Sequence, residues 1–521
     1  MKKINNKLFL VCFVAGALSL TACKKQLDIP SRNSLDASIA LNTRAGVEAA
    51  LNSVYSILKR ETHYGRDLFS VTEAMADVAF ANGRSSRLLG ENRNTSLANV
   101  NIWAGSYAAI NEINLTLAAA GAVSDASAAD KTRWEGEFKF LRALYYFDLV
   151  RNYSYIPTFT VPAQDKGGVV LTLEGFNSAA AAAEFRPSRA TTAAVYDQIM
   201  SDLYATISLL SNNNRGRNYA SKHAALALGS RVALYQGNWA KADSFATAAI
   251  TLTGGIGSMT TTSNYVSGWR AADHPEGIFQ VWYATLGENL GVNTSLAATH
   301  CTLAAPGTAN AFWAPRQGQG DLVPNAFLIS QLGITGHNFA ANLTSSSTPP
   351  TTANPAGVPP PALTYSSDIR NRLFEWGANA AGHYVECTKW IGKNGGPNWD
   401  NTVVLRWSEL YLNRAEARYR QNNEAGAWAD LNVIRSARIV GFTVPGTQDL
   451  TGQALLDEIW RQRMLEFAFE GHRFYDLKRN GLEIVKTNPS VNLPATDFRL
   501  LPRIPLGEVE GNPNLVQNFG Y

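Results

Sequence analysis

Cysteine, histidine and net charge are all scarce in this chain, and each shortage removes a class of function. Four cysteines (Cys12, Cys23, Cys301 and Cys387) occur in 521 residues. They are too few and too scattered for a disulfide framework or a zinc-binding set. With Cys12 and Cys23 in the N-terminal segment, only Cys301 and Cys387 could pair. Nothing in their spacing demands a bridge, and two free or buried thiols are the plainer reading. The seven histidines (His63, His223, His274, His300, His337, His383 and His472) include no pair at metal-ligand spacing. There is no glycine-rich phosphate loop and no nucleophile elbow, which argues against nucleotide-dependent and serine-hydrolase chemistry. Lys and Arg total 46 against 42 Asp and Glu, so overall charge gives no support to a nucleic-acid partner. Beyond Leu20 no apolar run is long enough to span a bilayer.

What is present begins at the N-terminus. Lys2, Lys3 and Lys7 precede the apolar run Leu8 to Leu20, and Leu20-Thr21-Ala22-Cys23 follows. A basic start, a short apolar core and a small residue before the Cys mark an export signal and resemble the lipobox of bacterial lipoproteins. The pattern implies cleavage before Cys23, lipid on its sulfur, and a mature chain of 499 residues held to a membrane without crossing it. Removal of 1–22 leaves 43 basic against 42 acidic side chains.

Hydrophobic periodicity divides the remainder. Helical spacing predicts helices over Gly46–Lys59, Asn99–Ala120, Asp130–Tyr153 (with Asp130 as its N-cap), Thr191–Leu210 and Ser221–Gln236. Ala224–Thr253 and Leu405–Arg438 each read as two close helices with small residues at the contact and a polar turn between, resembling tetratricopeptide pairs. Thr253–Asp400 is rich in Gly, Ser, Thr, Asn and Pro. Its best strand is Ile278–Tyr283, with Trp282 assigned to the core. Ala341–Ala362 reads as a surface loop. Leu455–Lys478 reads as one long charged helix. The expected organisation is a signal over 1–22, a helical half over 23–250, a loop-rich presumed ligand-binding region over 251–400, and a helical and extended segment over 401–521, forming one unit.

Twelve Trp with many Tyr and Asn suit carbohydrate recognition, in which sugar C–H faces stack on rings and hydroxyls bond to amide and charged groups. Candidates are Trp313 with Asn310, Arg316 and Gln317; Trp269 with Arg270; and the polar segment holding Asp77, Asn82 and Arg84. Glu466 and Glu470, four apart on one helix face, could suggest glycoside hydrolysis. They alternate with Phe467, Phe469, Phe474 and Tyr475, however, which favours buried, Arg-paired carboxylates.

Several segments together resemble the SusD/RagB family of outer-membrane lipoproteins. Arg463, Glu466, Glu470, Arg473, Asp476 and Arg479, within Gln462–Arg479, match its C-terminal signature, with Gln462 where a Glu is common. Leu405-Arg406 to Glu416-Ala417, Phe140-Leu141-Arg142-Ala143, Asp368 and Arg370 with Lys389, and the ending Ile504-Pro505 to Gly520-Tyr521 match other parts. The resemblance implies a mostly α fold, with tetratricopeptide-like helix pairs as scaffold plus an irregular loop-rich region with a few short strands. It implies nutrient capture at the cell surface, most often of glycans, without catalysis or cofactor. It also implies a SusC-like TonB-dependent transporter as partner, and ligand contacts from the inter-helix segment near Asp77 and from the irregular middle. A lipid-anchored glycosidase and a protein-only scaffold are the alternatives.

Overall fold

A computed structural model describes residues 41–95, 97, 99–213, 215–308, 311–336, 344–345, 359–378, 383–486 and 492–521. Cys23 with its signal-like segment, Asn310, and most of 341–362 lie outside the described residues.

Helices α1 (Arg44–Ile57), α2 (Asp67–Met75), α3 (Trp103–Ala120), α4 (Ala128–Tyr153), α5 (Thr192–Leu209), α6 (Lys222–Gln236) and α7 (Trp239–Ile250) fill the first half. The last part of the chain adds α8 (Trp407–Arg420), α9 (Glu424–Arg438), α10 (Gly452–Glu466) and α11 (Arg473–Arg479). Each of α3 to α8 packs on the next, α8 packs on α9, and α10 lies against both α8 and α9. One continuous apolar core runs from Val47 to Leu515.

Local chemistry accounts for the helix ends. α4 starts two residues before the predicted cap. The Ser127 hydroxyl accepts from the Asp130 N–H at 3.1 Å, and the Asp130 carboxylate accepts from the Ser127 N–H at 3.3 Å. This reciprocal box satisfies two otherwise orphaned donors, so Asp130 acts from inside the first turn. Trp134, Phe138, Leu141, Tyr145 and Leu149 are all fully buried along α4. The α6–α7 pair turns at Gly237 (φ 72°), a left-handed position that a Cβ would strain. Asn238 then caps α7 by accepting from the Lys241 N–H at 3.2 Å. The α8–α9 pair repeats the device with Asn422 (φ 60°) and Asn423, which accepts from the Gly426 N–H at 2.9 Å. Buried Ala242, Ala246, Ala249, Ala415 and Ala417 are the small side chains expected where such helices approach closely. The buried bidentate pair Arg231–Glu409, both bonds 2.6 Å, joins α6 to α8.

The middle contributes short strands: β1 (Ala79–Ala81), β2 (Gly277–Val281), β3 (Leu322–Pro324), β4 (Phe374–Trp376), β5 (His383–Cys387) and β6 (Thr402–Arg406). Antiparallel pairs join β1 to β3, β2 to β6 and β4 to β5. β2 and β6 are buried along their whole length. β2 ends at Val281, before the predicted Tyr283, because the ladder with Thr402 stops there. Trp282 is consequently half-buried at the surface and not a core residue.

The predicted helix Leu455–Lys478 is two helices. Between α10 and α11 the chain turns with Phe469 at φ 65° and Gly471 at φ 74°. A Cβ on Gly471 would run into the Leu68 carbonyl. The carbonyls released by the break are satisfied from other elements. Lys389 Nζ donates to those of Glu466 (3.0 Å) and Ala468 (2.9 Å), and Trp390 Nε1 donates to that of Phe469 (3.1 Å). Periodicity carries no sign of such a break because its cause lies far away in sequence.

Around this turn lies a buried ion network. Arg406 reaches Glu466 (2.6 Å), Glu470 (2.7 Å) and Glu276 (3.1 Å). Arg438 bonds Glu276 (2.6 Å) and Glu466 (2.9 Å), Lys389 bonds Glu470 (2.6 Å), and Arg370 bonds Asp368 (2.6 Å). Four carboxylates thus face four cations. Burial alone would push the Glu276 carboxyl up, but Arg438 and Arg406 outweigh it and hold its pKa at about 2. The same balance, with burial opposed by Arg438, Arg406 and Arg370, keeps Glu466 well below the usual carboxylate range. Removing one partner from such a set strands a buried charge. Glu466→Gln is expected to lower unfolding stability by about 3–5 kcal/mol, read from urea denaturation; an unchanged midpoint would contradict a structural role for the network.

Glu73 in α2 behaves oppositely. It accepts from the Gly471 N–H at 2.8 Å, and burial pushes its pKa up to about 8. The folded carboxyl therefore keeps its proton while the unfolded one, with an ordinary value of 4.5, has lost it. Its stabilising effect is fully present below the unfolded value and is lost as pH rises through the folded one. Glu73→Gln keeps a neutral acceptor for Gly471. Its stability relative to wild type should grow between about pH 5 and about pH 9, measured as urea midpoints; a pH-independent difference would show that Glu73 is not held protonated.

Candidate functional site

Pairing of β1 with β3 sets the loop after Ala81 against the segment before Leu322. The Asn82 N–H donates to the Asp321 carbonyl (2.9 Å), and Asn82 Nδ2 donates to the Gly320 carbonyl (2.6 Å). Asn82 Oδ1 accepts from the Arg84 N–H (3.0 Å), which turns the chain and aims Arg84 at β5. Arg87 pairs with Asp321 at 2.7 Å and fixes the loop's far side.

On β5, successive side chains alternate faces. Val385 and Cys387 are buried in the core, while Tyr384 and Glu386 point to Arg84. The Arg84 guanidinium lies 4.8 Å over the Tyr384 ring, and its Nη1 donates to Glu386 at 2.7 Å. The Phe80 ring stands 5.9 Å from that of Tyr384. Glu386 is fully buried and also accepts from the Thr302 N–H (2.6 Å) and Oγ1 (2.7 Å). Burial raises its pKa against the pull of Arg84 and Thr302. A single carboxylate therefore clamps the 82–87 loop and the start of the 302–320 segment onto β5.

Trp313 sits in the short turn Ala311–Trp313, half-buried, with its ring 4.7 Å from Phe312. Ala311 packs in a small cluster with Cys301, Leu303 and Ala378, which fixes this turn beside the β4–β5 sheet. Arg316 is exposed, and its Nη2 donates to the Gln319 carbonyl at 2.7 Å. Partial burial and the neighbouring Arg84 charge both lower its pKa, so the two guanidiniums lie within electrostatic reach. The Phe80 and Tyr384 rings thus stand beside Asn82 and Arg84, with Arg316 within electrostatic reach of Arg84 and Trp313 in the turn just before Arg316. Such a surface can stack a sugar face and bond its hydroxyl rim.

The structure places Asn82 and Arg84 in one turn with Arg316 in electrostatic reach, and it turns three other sequence candidates inward. Asp77 is buried in a bidentate pair with Arg473, both bonds 2.7 Å. Trp269 is fully buried, edge-on to Trp390 at 5.5 Å and beneath Lys389 Nζ at 4.8 Å. Arg270 turns inward to the Thr388 hydroxyl (2.9 Å) and Glu375 (3.3 Å). Trp269 lies in the short helix Tyr265–Arg270, and its ring covers the charges of Lys389 and Arg406 from within. Sequence reading missed Phe80, Tyr384 and Glu386. The period-two pattern of His383-Tyr384-Val385-Glu386-Cys387 was the available signal.

Cys301 and Cys387 are free, buried thiols, and burial pushes Cys387 up to about 12. Glu466 and Glu470 are buried and bonded to cations, and neither is open to a substrate from solvent. Among the described residues no group of three or more His, Cys, Asp or Glu side chains could hold a metal ion.

Comparisons with known proteins agree with this architecture. A family profile described as starch-binding and associating with the outer membrane matches residues 27–234, and the SusD family profile matches residues 364–521. SusD-like protein P25 of Formosa agariphila is 24% identical over an alignment covering 100% of both chains. A crystal structure of a SusD superfamily protein from Bacteroides thetaiotaomicron superposes with a TM-score of 0.73 at 25% identity, over 91% of this chain and 99% of that one. A laminarin-binding SusD-like protein superposes with a TM-score of 0.66 at 22% identity, over 92% of this chain and 100% of that one. The chain belongs to the SusD/RagB family.

The Glu386 clamp makes a direct prediction. Glu386→Ala leaves the Arg84 charge and the Thr302 donors without their acceptor, at a cost of about 3–5 kcal/mol. Limited proteolysis should then cut within 303–319 at least several times faster than in wild type; equal rates would show that Glu386 does not hold the loops.

Proposed function

We propose that this protein is a lipid-anchored outer-membrane lipoprotein, facing the exterior, that binds an oligosaccharide and passes it to a SusC-like TonB-dependent transporter. The observation that carries the reading is the stacking of Arg84 on Tyr384, held by the buried Glu386, with Arg316 in electrostatic reach and Trp313 in the adjoining turn. The outer-membrane and starch-binding description of the matching profile and the laminarin binding of a structural neighbour support the ligand class. The Cys23 pattern supports the anchor, and no described helix is long and apolar enough to cross a membrane. In this reading the protein binds without catalysis: the carboxylates most suggestive of hydrolysis, Glu466 and Glu470, are inside the network.

Calorimetric titration with laminarin- and starch-derived oligosaccharides tests the reading. Trp313→Ala and Arg84→Ala should each weaken binding by about tenfold or more. Unchanged affinity in both variants would reject this surface as the site. Binding of peptides with no binding of any saccharide would reject the ligand class. Co-purification of the untagged transporter with the tagged lipoprotein from outer membranes tests delivery, and its absence would reject that step.

A further inference from the structure

A second aromatic and polar concavity lies between α1 and the end of β2. Its volume is about 480 Å³, within the range of about 300–1,000 Å³ typical of small-ligand clefts. Asn52, Ser53 and Ser56 of α1, with Lys59 in the turn that follows it, form one wall, and Trp282 with Tyr219 forms the other. Spacing of three and four along a helix puts Asn52, Ser53 and Ser56 on one face. Trp282 is here because β2 ends at Val281, which releases the next side chain to the surface.

Neither Trp282 nor Tyr219 is fully buried. Tyr219 is braced edge-on against Tyr55 at 5.6 Å and covered by the Arg215 guanidinium at 3.7 Å. Tyr55 in turn donates its hydroxyl to Glu137 at 2.7 Å and accepts from the Ala220 N–H at 2.9 Å, giving a rigid floor. The indole N–H groups of Trp134, Trp390, Trp399 and Trp407 donate to acceptors within the protein. The Trp282 indole has neither such an acceptor nor a ring partner among the described residues, and it lines the cleft half-buried. The side-chain amides of Asn52 and Asn218, on facing walls, also have no partner among the described residues. At the rim, Lys59 pairs with Glu288 at 2.6 Å.

We propose that this cleft is a second saccharide-binding site, in which a sugar ring stacks on Trp282 while its hydroxyls bond the amides of Asn52 and Asn218. A half-exposed ring flanked by amides with no partner within the described protein matches an amphipathic ring better than an apolar ligand or a protein side chain, because both the C–H face and the hydroxyl rim find partners. The segment from Ala284 to Thr294 runs between the two sites. Its Glu288 meets Lys59 at the cleft, and its Asn293 carbonyl accepts from Arg87 (2.5 Å) beside the first surface. One glycan chain could engage both, and linked contacts of this kind raise affinity without new chemistry at either. The inference rests on the saccharide reading above for its ligand class, but not on the Arg84 surface.

The test uses the whole lipid-free mature chain labelled with 5-fluorotryptophan. The ¹⁹F lines of Trp282 and Trp313 are assigned with Trp282→Phe and Trp313→Phe and followed during titration with laminarihexaose and maltohexaose. With either sugar, the Trp282 line is expected to shift saturably, and to do so still in an Arg84→Ala variant. Asn52→Leu, an exposed change on α1 that leaves the core intact, should weaken the Trp282 response by about tenfold, as expected for loss of one hydrogen bond to ligand. A moving Trp313 line with a static Trp282 line would overturn the second site and leave the proposed function standing. A moving Trp282 line with a static Trp313 line would support the cleft and reject the Arg84 surface. If neither line moves, or if Asn52→Leu leaves the Trp282 response intact, the second site is overturned.

Discussion

The contact on which the rest of the structure depends is the Arg406 guanidinium, buried between Glu466, Glu470 and Glu276. Arg406 ends β6 and leads into α8, Glu276 precedes β2, and Glu466 and Glu470 flank the turn between α10 and α11. A planar group with five fixed donors can bridge several carboxylates where an ammonium cannot. Burying these ions is expensive, and the arrangement holds only because each charge has an opposite partner and further hydrogen bonds. That requirement ties the start of α8, the segment before β2 and the α10–α11 turn to one another.

The consequence reaches the surface through Lys389. It bonds Glu470 and the turn carbonyls, and it lies just past β5, the strand that presents Tyr384 and Glu386. The network thus sets β5, Glu386 sets the loops above it, and the loops carry Arg84 and Thr302. The candidate rings sit on short strands (Phe80 and Tyr384) and in a turn (Trp313), while the charges that position β5 and the loops above it are inside. This division lets one scaffold present different loops without altering its base.

The helices were legible because their cause is local. Val47, Leu51 and Val54, or Trp134, Phe138 and Leu141, reveal a buried face from spacing alone. The tetratricopeptide-like pairs were legible for the same reason, with Asn238 and Asn423 marking the turns. The break after Glu466 was not, since helix propensity continues through Phe467 and only Lys389, Trp390 and Arg406 make another path favourable. The candidate site was half legible. Asn82, Arg84, Trp313 and Arg316 stood out as polar and aromatic residues in irregular stretches, but so did Trp269, and nothing local separates Trp269 inside from Trp313 outside.

Sequence alone determined the helical repeats, the charged C-terminal signature with its buried character, the lipoprotein-like start and the family to which they point. These are properties of residue spacing and type within short windows. Tertiary structure decided which aromatics meet solvent. It placed Trp269 over the ion network, left Trp282 beyond the last rung of β2, and joined Arg84 to Tyr384 across about three hundred residues of chain. Exposure depends on what packs against a side chain from elsewhere, and for this protein those partners are the buried charges and short strands that only the folded chain brings together.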